Sequence, residues 1–557
     1  MNADRLLALY EQVAEAPDAI ARLRRFVLDL AVRGKLVEQD PADEPASELL
    51  SRIALEKARL VKTKAIRKPR PVSPFEPDDL PFPAPLGWAW TQIAELGIIG
   101  PRNEADDALE ASFVPMPMIA AEYGVANGHE PRPWGEIKKG YTHFAEGDVG
   151  LAKITPCFEN GKSTVFRNLT GGIGAGTTEL HIVRPLFVEA DYIVLFLKSP
   201  QFIETGIPRM TGTAGQKRVP TEYFISSPFP LPPLAEQHRI VAKVEELMAL
   251  LDRLEAARTE REATRDRLTA ASLARLTAPG TDPADFPANA RFALDTLPAL
   301  TTRPDQIKAL RQAILNLAVR GKLVEQDPAD KPLPRIDEGL LPDAATPFDI
   351  PSGWQWSRLR AIGLLKGGGT PSKARDDFWS GRIPWVSPKD MKVDYIKAAQ
   401  LSITDAAIAG SAVNLIDRDS VLFVVRGMIL AHSFPVAISK VPLTINQDMK
   451  AISLKIPEMA EYVLRALKGL TPEMLARVQR SSHGTCRIER DDYGDLLVPL
   501  PPLAEQHRIV AKVDALTALC DRLEAALTTS DTTRARLLEA LLNDTVSGAV
   551  DPSTQAA

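Results

Sequence analysis

Apolar residues recur along two long stretches of the chain at the spacing of one helix face. After Pro232-Pro233 they occupy Ile240, Val244, Leu247, Leu251 and Leu254, in steps of four, three, four and three residues. The same steps recur later, at Ile509, Val513, Leu516, Cys520 and Leu523. Leu268 continues the first pattern, and Leu537 and Leu541 continue the second. Such steps are typical of a coiled-coil seam, so the sequence predicts two helices of about 40 residues and roughly 60 Å.

The two stretches belong to a larger internal repeat. Residues 30–43 recur without change at 317–330, and residues 230–244 recur at 499–513. A weaker copy relates Gly87-Trp88-Ala89-Trp90 to Gly353-Trp354-Gln355-Trp356. The period is far too long for a solenoid. The chain is therefore predicted to be one unit duplicated in tandem, whose repeated framework encloses two inserts of different sequence.

The shorter framework segments are predicted to be helical as well. Their apolar positions correspond pairwise: Ile20, Leu23, Val27 and Leu30 match Ile307, Leu310, Ile314 and Leu317. Gly34 and Gly321 follow as predicted C-terminal caps. A helix that simply faces a core would give similar stripes. The narrow seam and its presence twice favour two long helices that pair antiparallel, in a molecule with a pseudo-two-fold axis.

The inserts are mixed α/β in pattern, so the fold class is α+β. Strand-like runs cover 150–154 and 180–183 in the first insert, and 421–425 and 451–454 in the second. Each insert ends with a turn-rich basic stretch, at 209–218 and at 480–487.

Composition and motifs indicate a non-catalytic protein. Of 557 residues, 45% are hydrophobic and 25% charged, as in ordinary globular chains, and no apolar run is long enough to cross a membrane. The cytoplasm is therefore the expected compartment. Cys157, Cys486 and Cys520 lie far apart, which argues against disulfides and a zinc site. We find no phosphate-binding loop, methyltransferase tetrapeptide or histidine metal spacing. Acid-x-Lys tripeptides at 136–138 and 448–450 lack a suitable partner acid.

Net charge becomes informative once it is divided between the inserts. The chain carries a net charge of -5, but residues 346–498 carry 20 basic and 16 acidic residues, and residues 86–229 carry 12 and 16. Each insert nevertheless contains a basic part, and clustered Lys and Arg supply most sequence-independent affinity for nucleic acid. Ordinary surface charge is the alternative interpretation.

The repeated segment Pro230–Val244 and its copy Pro499–Val513 closely resemble a signature of one known family. This signature marks the end of each target-recognition domain in the specificity subunits of type I restriction-modification enzymes. The second insert adds similar elements: Gly368-Gly369-Thr370-Pro371-Ser372, Gly381-Arg382-Ile383-Pro384-Trp385, Asn446-Gln447-Asp448 and Gly484-Thr485 with Ile488. The first insert departs from this series, although Gly212-Thr213 with Gly215-Gln216 resembles its last element.

This resemblance implies a chain without chemistry of its own. Two target-recognition domains in pseudo-two-fold arrangement would each read one half of a split, asymmetric site in double-stranded DNA. The long helices would pair as an antiparallel coiled coil that spaces them. Two modification (methyltransferase) subunits would dock on the framework, and restriction (translocase and nuclease) subunits would join them. S-adenosylmethionine, ATP and Mg²⁺ are expected on those partners and no cofactor on this chain.

The implied organisation has seven segments. They are a helical framework (1–79), target-recognition domain 1 (80–230), spacer helix 1 (231–278), a linker with repeated framework (279–345), target-recognition domain 2 (346–498), spacer helix 2 (499–545) and a tail (546–557). Base-edge readout needs polar and cationic side chains. The DNA-binding candidates are Thr213, Gln216, Lys217 and Arg218 in the first insert, and Lys389, Ser482, His483 and Arg487 in the second.

Two other function classes remain open at this point. A pure interaction scaffold would explain the helices but not two unlike, partly basic inserts. A fused restriction enzyme would need a methyltransferase or nuclease motif.

Overall fold

The computed structural model describes residues 7–8, 10–11, 14, 16–69, 71–76, 80–213, 215–277, 285–339, 346–480 and 485–547. The chain divides into two compact units. Unit 1 is Met1–Glu260 together with Asp531–Ala557, and unit 2 is Arg261–Ser530.

Unit 1 combines helices with three small sheets. Its helices are α1 Ala19–Val32, α2 Ala46–Lys62, α3 Ile93–Leu96, α4 Trp134–Ile137, α5 Ala190–Lys198, α6 Pro200–Gly206, α7 Thr221–Ser226 and the first part of α8 Leu234–Thr277. Its strands are β1 Ala89–Gln92, β2 Gly97–Ile99, β3 Glu110–Val114, β4 Glu130–Pro133, β5 Thr142–Ala145, β6 Val149–Ala152, β7 Ser163–Val165, β8 Ile173–Gly176, β9 Leu180–Pro185 and β10 Pro228–Leu231. The strand orders are β2-β9-β6-β7, β4-β3-β8-β5 and β1-β10.

Unit 2 also combines helices with small sheets, the largest of which has five strands. Its helices are α9 Phe286–Leu300, α10 Pro304–Val319, α11 Asp405–Ala409, α12 Ala460–Gly469, α13 Thr471–Leu475, α14 Arg490–Gly494 and most of α15 Leu503–Ser547. Its strands are β11 Gln355–Arg358, β12 Gly363–Gly367, β13 Ile383–Val386, β14 Tyr395–Ile396, β15 Leu401–Ile403, β16 Val421–Val424, β17 Val436–Ser439, β18 Thr444–Ile445, β19 Met449–Leu454, β20 Gln479–Arg480, β21 Cys486–Arg487 and β22 Leu497–Leu500. The strand orders are β12-β19-β16-β17-β14, β15-β13-β18, β11-β22 and β20-β21.

Each insert begins and ends on one two-stranded antiparallel ribbon. In unit 1, Ala89 of β1 lies opposite Leu231 of β10. In unit 2, Gln355 of β11 lies opposite Leu500 of β22. The chain therefore enters and leaves each insert at one place, which makes the insert a separable module on its framework. The strand runs predicted from sequence are present as β6, β9, β16 and β19.

The repeated segments contact one another within unit 1. The carboxylate of Glu236, at the start of α8, is fully buried and accepts hydrogen bonds from Trp88 Nε1 at 2.9 Å and Gln39 Nε2 at 3.0 Å. One turn later, Arg239 forms an ion pair with Asp43 at 2.6 Å. This cluster, which we call the framework clasp, joins three segments that are distant in sequence.

Unit 2 holds an equivalent clasp. Glu505 accepts from Trp354 Nε1 and from Gln326 Nε2, both at 2.9 Å, and Arg508 pairs with Asp330 at 2.7 Å. A buried polar group is costly unless it is hydrogen-bonded. The mutual contacts therefore explain why these particular residues recur in both copies.

The two predicted caps are confirmed. Gly34 and Gly321 both have φ of +66°, the left-handed conformation that favours glycine. The next amide in each copy, Lys35 N or Lys322 N, donates back to the last helical turn at 3.0 Å, as in a Schellman motif.

The two long helices have 44 and 45 residues and begin directly after the Pro-Pro pairs. At 1.5 Å per residue each is about 67 Å long. In α8, Ile240, Val244, Leu247 and Leu251 are fully buried in the core of unit 1, and Leu254 is partly buried against it. In α15, Ile509, Val513 and Cys520 are buried in the core of unit 2, and Leu516 packs against it. Leu523 is 37% exposed. The first half of each seam thus packs into the core of the unit in which its helix begins.

The predicted continuation of the seams is wrong by one residue at Leu268 and Leu537, whereas Leu541 is partly buried and packs against the cluster that contains Leu538. Leu268 and Leu537 are 49% and 47% exposed, whereas the neighbouring Thr269 and Leu538 are buried. A straight α-helix drifts by about 20° per heptad, so after four heptads the residue on the original face is the next one along. The buried stripes therefore follow the period of a straight helix.

Candidate nucleic-acid interface

The basic stretch that ends the first insert folds back onto two strands of the sheet in unit 1. Val219 N donates to Lys153 O at 2.8 Å, and Thr155 N donates to Lys217 O at 2.9 Å. Lys153 N in turn donates to Glu179 O, just before β9, at 2.9 Å. These bonds bring the ends of three chain segments to one edge of the sheet.

Unit 2 uses the same backbone frame with unlike side chains. Ile488 N donates to Val425 O at 2.9 Å, Gly427 N to Cys486 O at 2.9 Å, and Val425 N to Asp448 O at 2.8 Å. We call this edge the strand-end patch of each unit. In unit 1 it comprises 153–155, 177–181, 211–213 and 215–219; in unit 2 it comprises 367–370, 425–429, 446–450 and 485–490.

The candidates of the first insert lie together on the strand-end patch of unit 1. Thr213, Gln216 and Lys217 are exposed. Arg218 is committed to an intramolecular partner, because its guanidinium makes three contacts of 2.8 to 3.1 Å with the carboxylate of Glu179. These hydrogen bonds hold the pKa of Glu179 below its usual value.

A buried, neutral histidine packs beneath the strand-end patch of unit 1. His181 is buried, its ring stacks on Phe224 at 5.1 Å, and its Nε2 hydrogen-bonds with Val219 O at 3.2 Å. Burial lowers its pKa to about 4. The imidazole is therefore uncharged at neutral pH and serves the packing of the patch.

The candidates of the second insert are spread over the same edge of unit 2. Arg487 is exposed and pairs with Glu489 at 2.9 Å. Lys389 is exposed in the turn after β13. Because β13 runs parallel to β18, that turn lies at the same end as Asn446, whose N donates to Val386 O at 2.9 Å. Ser482 and His483 lie outside the described residues.

Three cations of this patch were missed from sequence. Lys450, half-buried on β19, has its pKa lowered by burial and further by Arg490 and Arg426. Among the described residues none of the three has an ion-pair partner. Their excess of positive charge at one sheet edge favours an anion. In the sequence, Lys450 is notable only as part of an acid-x-Lys tripeptide. The pattern of apolar and polar residues does not indicate that Arg426 and Arg490 lie beside it.

Two neutral polar groups complete the patch in unit 2. Exposed Gln447 and Thr370 hydrogen-bond to each other through Oε1 and Oγ1. The turn of Thr370 is held by Trp385 Nε1, which donates to Gly369 O at 2.9 Å. A Cβ on Gly368 would lie 2.0 Å from Asn446 O, so only glycine fits there. These contacts bring the elements at 368–372, 381–385 and 446–448 together in one cluster. Thr178 is the exposed counterpart of Gln447 in unit 1.

The arrangement offers donors, acceptors and cations on an open surface. Among the described residues no group of three or more His, Cys, Asp or Glu side chains could hold a metal ion. No helix in the described part of the chain is both long and apolar enough to span a membrane.

Comparison with known proteins gives consistent matches. A family model described as the type I restriction modification DNA specificity domain matches residues 351–530. The specificity subunit of the type I restriction enzyme EcoEI from Escherichia coli is 36% identical over 558 residues, covering 94% of this chain and 93% of that protein. That of EcoAI, also from Escherichia coli, is 36% identical over 565 residues with the same coverage. A chain solved in work on assembly and conformational transition of the type I R-M system shares the fold. It covers 84% of this chain and 99% of its own length, with a TM-score of 0.52 and 19% identity.

Proposed function

Because the chain belongs to the specificity subunits of type I restriction-modification enzymes, we propose that each strand-end patch reads one half of a split DNA target. Members of this family confer DNA target specificity and are not enzymes. S-adenosylmethionine and ATP belong to their partner subunits.

The observation that carries this proposal is one backbone frame with two different side-chain sets. The same three hydrogen bonds build both patches, yet exposed Thr178 and Lys217 of unit 1 correspond to exposed Gln447 and buried Cys486 of unit 2. A common frame would dock on DNA in a common way, whereas unlike side chains would read unlike bases. The target is therefore two different half-sites, which together are asymmetric.

The side chains suggest a division of roles in unit 2. Gln447 can make two hydrogen bonds to an adenine edge, and Thr370 orients its amide. Lys450, Arg426 and Arg490 would contact phosphates, which position the domain without reading sequence. Lys389 and Arg487, with Ser482 and His483, remain DNA-binding candidates.

In unit 1, Thr213, Gln216 and Lys217 are free to face DNA. Arg218 would contact DNA only if it left Glu179, so we assign it to positioning of the loop. The proposed domains, 80–230 and 346–498, each begin before the first strand of the closing ribbon, at Ala89 or Gln355, and end within its second strand.

We assign the long helices to spacing. Unit 1 contains the start of α8 and the end of α15, and unit 2 contains the converse. This exchange supports an antiparallel coiled coil over the middle segments and a pseudo-two-fold arrangement. Half-sites one DNA turn apart are about 34–36 Å from each other. Helices of about 67 Å are long enough to set such a gap, and a rigid strut fixes it in base pairs.

The framework clasps mark docking surfaces for two modification subunits. Residues on the clasps are identical in both copies even where they face solvent, at Ala235 and Ala504, His238 and His507, Glu38 and Glu325, and Asp40 and Asp327. Core packing explains identity at buried positions only. Binding of the same modification subunit to each copy explains the identity at exposed positions. The restriction subunits would then join this complex.

A domain exchange tests the reading function. Residues 80–230 are replaced by the first insert of another family member, and methylated sites are mapped in host DNA by single-molecule sequencing. We expect one half-site to change while the other half and the spacer persist. The matched exchange of 346–498 should change the opposite half. A change in both halves from either exchange would contradict the proposal.

A further inference from the structure

The first framework copy carries a strongly basic segment that the second copy lacks. Between the repeated 14-residue segment and the Gly-Trp pair, the first copy has 43 residues and the second has 22. The additional residues include α2 and the segment that follows it. Residues 57–70 hold seven Lys and Arg and no Asp or Glu. We call the described part, residues 57–69, the basic arm.

The basic arm is fixed to unit 1 near both ends. Lys57 Nζ donates to Ala94 O on α3 at 2.6 Å, and Gln92 Nε2 donates to Ser73 O, just beyond the arm, at 2.7 Å. Between these anchors four cations are exposed and, within the described residues, have no ion-pair partner: Lys62, Lys64, Arg67 and Lys68. The arm therefore presents uncompensated positive charge from a defined position.

One of these cations occupies a position that the backbone suits to glycine. Lys64 has φ of +59° in the turn that ends α2, where Ala65 N donates to Leu60 O at 2.9 Å. A side chain in this conformation costs roughly 1 kcal/mol relative to glycine. Local folding does not account for a lysine there, whereas a role for its charge does.

Unpaired cations on one copy of the framework favour a polyanion that meets the molecule asymmetrically. Two identical subunits on the duplicated framework clasps would find the arm on one side only. A DNA site with two unlike half-sites is itself asymmetric, so it suits an arm that is present in only one copy of the framework. We propose that the basic arm binds DNA phosphates outside the half-site read by unit 1, an inference that rests on the proposed function.

The position of the arm indicates which phosphates it would meet. Its anchors lie next to the start of β2, and Gly97 of β2 lies opposite Pro185 at the end of β9. The strand-end patch is at the other end of β9, at Leu180. Five residues of strand span about 17 Å, the length of about five base pairs. The arm would therefore contact the flank of the half-site.

Salt dependence of binding by the complex with modification subunits tests this proposal. The variant replaces all four free cations with glutamine: Lys62→Gln, Lys64→Gln, Arg67→Gln and Lys68→Gln. Log affinity falls with log salt, and each lost phosphate contact makes this negative slope less steep by about 0.9, so we expect its magnitude to decrease by about two to four. Affinity should fall equally on cognate and non-cognate duplexes, and only when at least ten base pairs flank the half-sites. The methylated sequence should stay the same.

Matched control variants distinguish the effect of losing the basic arm's charges from the effect of losing positive charge elsewhere on the surface. The control variant replaces four other exposed cations without described ion pairs: Arg253→Gln, Lys308→Gln, Lys331→Gln and Lys512→Gln. It should leave the flank-dependent part of the slope intact. Lys64→Gly removes one charge and replaces the left-handed lysine with glycine, so we expect an unchanged or higher Tm and a salt slope whose magnitude is smaller by about 0.9.

The outcomes are distinguishable from failure of the proposed function. An unchanged salt slope in the fourfold variant would overturn the role of the arm. Loss of a modification subunit from that variant in native mass spectrometry would overturn it in favour of protein docking. If the wild-type complex itself showed no preference for a split site, the proposed function would fail and not the arm alone.

Discussion

At the residue scale, one position of the common frame carries different chemistry in the two units. The corresponding carbonyl acceptors of the two patches are Glu179 O in unit 1 and Asp448 O in unit 2. The residue two positions later is His181 in unit 1 and Lys450 in unit 2. His181 is buried and neutral beneath its patch, whereas Lys450 is half-buried beside two arginines. The same backbone therefore supports a packed ring in one patch and an anion-attracting ammonium in the other.

The buried histidine makes the stability of unit 1 depend on pH. Burial lowers the folded-state pKa of His181 to about 4, below the ordinary value of 6.5. Between these values the unfolded chain binds the proton and the folded chain does not, so the contribution to stability is present above pH 6.5 and is lost as pH falls. The full difference is about 3 kcal/mol at pH 4.

We expect His181→Gln to remove this part of the pH dependence while keeping a neutral donor toward Val219 O. The urea midpoint of the variant should rise relative to that of the wild type as pH is lowered from 7.5 to 4.5. Any difference at pH 7.5 reports packing against Phe224 alone. Parallel pH profiles for the two proteins would show that His181 does not titrate between folded and unfolded states.

At the element scale, the long helices show where a periodic pattern stops being reliable. A strict step of seven residues predicts Leu537 on the buried face of α15, but the structure buries Leu538, against Ala16 and Ala19 of unit 1. The drift of about 20° per heptad is invisible over one or two heptads and amounts to nearly one residue over four. Extrapolation from Ile509 therefore identifies the right helix and the wrong leucine.

Adjacent substitutions test this assignment. Leu538→Ala should lower the free energy of unfolding by about 2–5 kcal/mol, because it removes a fully buried side chain. Leu537→Ala, at the 47% exposed neighbour, should cost less than about 1 kcal/mol. Helix propensity and mutation type are the same at both sites. The reverse order of effects in denaturant unfolding would restore the heptad assignment.

In the rest of the chain, too, local sequence patterns predicted local structure but not contacts between residues distant in sequence. Local signals predicted the helix starts after Pro233 and Pro502, the glycine caps and the strands around Gly150 and Val421. The strand-end patches required long-range pairing. No spacing rule brings Arg426 beside Lys450, or shows that Arg218 is held by Glu179.

At the scale of the whole molecule, the repeat explains both the division into units and the way each unit is completed. Each unit contains the start of one long helix and the end of the other. Within unit 1, the end of α15 buries Leu538 against the N-terminal segment. Within unit 2, the end of α8 supplies Glu262 and Asp266 to Arg303. Both ends combine apolar and ionic contacts, because Glu539 of α15 also pairs with Arg22 in unit 1, and Leu273 and Leu276 of α8 are also buried in unit 2.

If the helices are spacers, shortening both should shorten the DNA gap. Deleting residues 253–259 and 522–528 removes one heptad from each helix, about 10 Å or about three base pairs. The helix faces turn by only about 20°, so the buried stripes keep their partners. We expect a methylated site with both half-sites unchanged and a spacer about three base pairs shorter. Deleting five residues from each helix would rotate the distal faces by about 140° and should abolish assembly. An active heptad-deletion variant with the original spacer would show that the helices do not set the gap.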